Sequence, residues 1–200
     1  MLRRAHRLAG MAALVLALVV LAAPAAAPAS AAPPLTAKAQ AFHDDMRALW
    51  EAHGAWTHMV IVNFAGNLPN LDASEQVLLQ NQVDIGAAVK PYYGTAAGNK
   101  LTSLLKAHIL GAVTVLQAAK SGDQAAIAQA EADWSTNGRQ IADFLHAANP
   151  HHLALKDART MMQEHLNQVI AQAVDELQGE YAASAAAYAP YIRTSSTWRT

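Results

Sequence analysis

Residues 99–123 read NKLTSLLKAHILGAVTVLQAAKSGD, and the spacing of the apolar positions within them decides the fold. Leu101, Leu104, His108, Ala112, Val115 and Ala119 recur every three or four residues, the period of one face of an α-helix. Asn99 stands where an N-cap is expected. Ser121-Gly122-Asp123 supplies a tight turn, with Asp123 placed to cap the next helix. One residue of the stripe is out of character: His108 sits at its middle, where Leu or Met would pack better.

The same period continues on both sides. Upstream, Phe42, Met46, Leu49, His53, Trp56, Val60 and Phe64 mark a helix over about 37–65, which Gly66-Asn67-Leu68-Pro69-Asn70 breaks. Asp72 is the expected cap of a second helix, with Glu75 as its capping-box partner. Pro91 is expected to stop that helix near Lys90, ahead of a Gly-containing loop over 92–98. Downstream, Ile127, Ala130, Trp134, Asn137, Ile141, Leu145 and Ala148 mark a fourth helix, ended by Asn149-Pro150. Leu155, Ala158, Met162, His165 and Val169 mark a fifth, starting near His152 and reaching about Tyr181. No stretch shows sustained strand-like alternation. Short connections between such helices predict an all-α, up-and-down antiparallel bundle of four to five helices over residues 32–183. Residues 184–200, rich in Ala and Tyr and then polar, are expected to fray.

The N-terminus reads as an export signal rather than as part of the fold. Arg3, Arg4 and Arg7 precede an apolar run from Met11 to Ala23, and Ala29-Ser30-Ala31 fits the small-residue cleavage pattern. The expectation is a signal peptide over residues 1–31, a secreted mature chain and no membrane association after cleavage. The apolar run falls short of the ~20 residues a spanning helix needs, and no second run is expected to span. With no cysteine there is no disulfide, and a domain of this size does not depend on one. All 15 acidic residues follow residue 31, whereas three of the 14 Lys and Arg precede it. The mature chain therefore carries about −4 with no basic run, which argues against nucleic acid as a partner.

His53, His108 and His165 each occupy an apolar stripe on a different helix. Burying an imidazole without hydrogen-bond partners costs a few kcal/mol, so three such positions call for a compensating arrangement. Matching heights by distance from each turn, at 1.5 Å per residue, places His53 level with Asp84, and both near His108, Asn137 and His165. Imidazoles and a carboxylate meeting in a bundle core are ligands for a transition-metal ion such as Zn, Cu, Fe or Ni. The expected ligands are His53, Asp84, His108 and His165. Asn81 and Gln82 are expected to fix ring tautomers, with Asn137 at the same level.

Metal or small-ligand binding, storage or sensing is expected ahead of hydrolysis, because no separate general acid or base stands out. Two other readings stay open. In one, the polar layer only sets helix register, and a protein partner docks at the Tyr92-Tyr93 loop, which could also present its hydroxyls to a ligand. In the other, a His53–Asp84 pair transfers protons. Met161-Met162 reads as core filler, His58 as a surface residue, and Gly86 as the mark of a close helix contact or a bend.

Leu49-Trp50-Glu51-Ala52-His53-Gly54-Ala55-Trp56-Thr57, Asn81-Gln82-Val83-Asp84-Ile85-Gly86, Pro91-Tyr92-Tyr93-Gly94 and the run from Gly98-Asn99 to His108 together resemble an uncharacterised bacterial family. Its members are small, helical and often exported, and the resemblance covers about residues 40–180. Some relatives carry an acetylglutamate kinase label. The Gly-rich phosphate loops and βα alternation of such a kinase are missing here, so the resemblance implies a helical exported protein and no mechanism.

Overall fold

In a computed structural model the chain is described over residues 36–196, with side chains to 188. The expected leader and its cleavage point near Ala31 lie outside the described residues. Six helices follow one another: α1 (Ala37–Ala65), α2 (Leu71–Tyr93), α3 (Thr95–Ser121), α4 (Gln124–Ala148), α5 (Leu155–Gln178) and α6 (Tyr181–Ser196). There is no strand among the described residues. Each helix packs on the next, and α1 also meets α5 and α6, which closes the bundle. The chain is thus an all-α helical bundle.

The core forms where the apolar stripes meet. Ile61, Ile85, Leu101, Leu105, Trp134, Ile141, Met162 and Leu166 are buried together in it. Helix α3 is long and apolar enough to cross a membrane by length and composition, which the sequence reading did not anticipate. In the bundle its apolar face, Leu101, Leu104, Leu105, Ile109, Val115 and Leu116, is buried against its neighbours.

Three element ends differ from expectation. Pro91 does not stop α2. It lies within the last turn, the helix continues to Tyr93, and Gly94 alone separates α2 from α3. Proline gives up its own N–H bond there and its ring presses on the Ala87 carbonyl, but only two helical residues follow, so little helix has to bend. Gly94, at φ 86° and ψ 162°, takes an extended positive-φ conformation open to glycine that lets the chain reverse. Helix α3 consequently starts four residues before Asn99, and no 92–98 loop exists. Neither Asp72 nor Asn70 makes a side-chain cap to α2: Asn70 is its N-cap residue, and Asp72 lies inside the first turn, where a negative charge suits the helix dipole. Asp123 does cap α4, its carboxylate accepting from the Ala125 and Ala126 amides.

The expected frayed tail is also different, since α6 runs to Ser196. Gly179, at φ 78°, ends α5. Ser184 is fully buried and donates a hydrogen bond to the buried Glu176 carboxylate at 2.6 Å. His58, expected at the surface, is half-buried: Gln172 hydrogen-bonds its ring, and Tyr188 stacks on it at 4.5 Å. Those contacts tie α6 to α1 and α5. Residues 197–200 lie outside the described residues.

Gly86 marks a close helix contact. A methyl group there would stand 2.6 Å from the Gly98 carbonyl oxygen and closer still to the Thr102 hydroxyl. Because backbone cannot swing aside as a side chain can, Gly86→Ala is expected to destabilise the bundle by about 1–3 kcal/mol. Chemical denaturation checks this. An unchanged midpoint would mean that α2 and α3 do not cross so closely.

Candidate functional site

Five helices each send a polar side chain to one level of the core: His53 from α1, Gln82 from α2, His108 from α3, Asn137 from α4 and His165 from α5. The three imidazoles are buried, at 4%, 3% and 9% exposure. The His108 and His165 ring centres lie 5.6 Å apart, and those of His53 and His165 lie 6.4 Å apart. All three rings line one small void of about 20 Å³, together with Trp50, Leu105, Ile141, Leu145 and Met162. That volume admits about one water-sized occupant.

Amide side chains fix the rings. The Asn137 Nδ2 group donates to the Leu104 carbonyl at 3.1 Å, which turns its Oδ1 toward His108 Nδ1 at 2.9 Å. An amide oxygen only accepts, so His108 carries its proton on Nδ1 and leaves a lone pair on Nε2. That Nε2 is buried with no hydrogen-bond partner. On the other side, Asn81 donates to the Leu49 carbonyl at 3.1 Å and presents its Oδ1 to Gln82 Nε2 at 3.1 Å. The same Gln82 nitrogen lies 2.7 Å from the Leu78 carbonyl and 3.1 Å from His53 Nδ1. Surrounded by acceptors, it is the NH₂ end, its two hydrogens shared among the three. His53 Nδ1 therefore accepts, and the His53 proton sits on Nε2. Trp134 completes the support by stacking on His108 at 5.0 Å and donating its Nε1–H to the His108 carbonyl at 2.9 Å.

Burial dominates the electrostatics. Desolvation lowers His53 and His108 from 6.5 to about 4; the His108 ring adds to the shift at His53, and the hydrogen bonds with Gln82 and Asn137 oppose it at His53 and His108 respectively. Desolvation and the two neighbouring rings hold His165 well below its usual value. The three rings are neutral near pH 7, the form in which imidazole binds metal.

Asp84 is not part of this level. It is exposed and accepts a hydrogen bond from Gln80 on the same helix. Counting residues from the turns gave its height along α2 but not its face. Two residues separate it from Gln82, about 200° of rotation, so the inward side chain is Gln82. A His53–Asp84 proton-transfer pair is excluded on the same ground. The buried stripe of α2, Leu78, Gln82, Ile85 and Val89 at spacings of four, three and four, is the sequence signal that marks Gln82 as the inward polar residue.

Tyr92 and Tyr93 lie on the last turn of α2, about 15 Å along the helix from Gln82. Tyr92 packs on Phe42 with ring centres 4.2 Å apart and donates its hydroxyl to the Lys38 carbonyl at 3.3 Å. It therefore fastens the start of α1 and lines no part of the histidine level. Tyr93 is 45% exposed.

No group of three or more His, Cys, Asp or Glu among the described residues is arranged to hold a metal ion by itself. Two rings fit better than three. An ion about 2.1 Å from each of two imidazole nitrogens, at a tetrahedral angle, sets the ring centres about 5.4 Å apart. The 5.6 Å between His108 and His165 is close to that, while His53 stands further off. Comparison with protein-family models, with curated proteins and with solved structures finds no match in any of the three.

Proposed function

We propose that the bundle binds one transition-metal ion in its core, with His108 and His165 as protein ligands and His53 beside them. The observation that carries this is the His108 Nε2 lone pair, buried, without a partner and on a residue that lines the shared void. A buried acceptor left without a partner costs about 1–3 kcal/mol, and an arriving ion removes that cost. His53, protonated on Nε2 and accepting from Gln82 on Nδ1, has no lone pair left for the ion, and the void has room for the ion alone.

The donors select among the metals. Imidazole suits Zn, Cu, Fe and Ni, and the thioether of Met162, which lines the same void, favours copper(I). Among the described residues no carboxylate lines that void to offset the ion's charge. Because desolvation cost rises with the square of the charge, a buried neutral donor set favours a monovalent ion. Copper(I) meets both conditions. The leader expected in residues 1–31 would put this centre outside the cytoplasm, in keeping with the resemblance to exported helical proteins.

X-ray absorption of the full chain loaded with one equivalent of copper(I) tests the ligand assignment. Two imidazole nitrogens at about 2 Å are expected, and one must vanish in His165→Gln. A spectrum lacking imidazole scattering, or one unaltered by that substitution, overturns it.

A further inference from the structure

One turn along α1 from His53, the buried Thr57 hydroxyl has no hydrogen-bond partner. Helical Thr and Ser usually return that bond to a backbone carbonyl, as Thr114 and Thr136 do in this chain. Thr57 instead lines a cavity of about 160 Å³ between α1, α2, α3, α4 and α5. Val60, Ile109 and Ala173 belong to its wall, which is almost wholly hydrocarbon, and Trp134 lies between it and the histidine level. Glu131, half-buried, is the single charged residue of the lining.

We infer that this cavity is a second binding site, for a small molecule that is mostly hydrocarbon and carries one hydroxyl, about the size of phenol. Three observations converge on that class. The volume matches an apolar space able to take a single aromatic ring, since an engineered cavity of about 150 Å³ binds benzene. The lining offers dispersion and desolvation over nearly its whole area, with the Thr57 hydroxyl, beside the half-buried Glu131, to orient the guest. The Thr57 hydroxyl is out of water's reach in the empty cavity; rotation about χ1 exchanges it with the Thr57 methyl and turns it to the guest. Because it donates and accepts, a guest hydroxyl then satisfies a polar atom that folding leaves unpaired. Water alone gains little there, because a guest water needs two to four polar partners. The site stands whether or not the histidine level holds a metal.

Titration of the full chain with phenol, and separately with toluene, tests the inference, with calorimetry as the readout and a tryptophan-fluorescence change that is lost in Trp134→Phe as the local one. Both probes are expected to bind saturably at one site, with phenol about fivefold tighter for its single hydrogen bond. Thr57→Val is expected to bring the two affinities together while keeping the chain folded. Ala173→Leu fills the space and is expected to abolish binding of both while raising the unfolding temperature. Absence of saturable binding by either probe overturns the site. So does an unchanged phenol-to-toluene ratio in Thr57→Val, which also decides the matter if Ala173→Leu fails to fold.

Discussion

Lowering the pH from 7.5 to 5 is expected to remove about 4 kcal/mol of folding stability, through His53 and His108 alone. In the unfolded chain each ring takes up a proton near 6.5, whereas in the bundle burial holds both to about 4. The unfolded state thus binds more protons throughout that window. Stability is complete above pH 6.5, falls as the pH drops toward 4, and levels off below it. His165, shifted the same way, deepens the loss. The carboxylates with lowered values, Asp44 and Asp143, lose their contribution at lower pH than this window. For a bundle of this size the change corresponds to about 10 °C in Tm. Thermal unfolding followed by circular dichroism across this range measures it. A flat profile would mean that the rings are not held neutral in the core.

The second large effect separates the partners of one hydrogen bond. His108→Leu alone is expected to cost about 1–3 kcal/mol at pH 7.5, because Asn137 Oδ1 loses its donor while the cavity wall changes shape. Replacing both partners, His108→Leu with Asn137→Leu, is expected to recover most of that loss, since two apolar groups then meet where a polar pair stood. At pH 5 the double variant is expected to exceed the wild type by about 2 kcal/mol, one titrating ring having been removed. Denaturant midpoints at the two pH values give the comparison. A double variant less stable than the single one would make the polar level a structural requirement of the bundle and would take away the reason for assigning it a function.

The helices were legible because their signal is local. The stripes on α1, α3, α4 and α5 fall within the described helices, and Asp123 caps α4 as its position suggested. What failed depended on neighbours. Pro91 reads as a stop from the chain alone, yet with only Tyr92 and Tyr93 after it in the helix its lost bond and ring clash bend little, and α2 continues through it. The Ala-rich stretch after Ser184 has little pattern of its own. It becomes α6 through contacts with α1 and α5, among them Ser184 with Glu176 and Tyr188 with His58. At the site, the three histidines were visible as polar residues on apolar stripes. Asp84 was misplaced because a height along a helix says nothing about the angle around it. Gln82, on the buried stripe of α2, sits where a carboxylate was expected, which is why the donors around the void carry no charge.

The most direct test of the central claim is the copper content of the full chain after loading with copper(I) under anaerobic conditions and gel filtration. About one ion is expected per wild-type chain and almost none in the His108→Leu, His165→Leu double variant. Parallel loading with zinc or nickel is expected to leave the core empty. Surface residues such as His151 and His152 remain in both proteins, so they cannot produce the difference. A wild-type chain that retains no copper, or a folded double variant that retains as much, would contradict it.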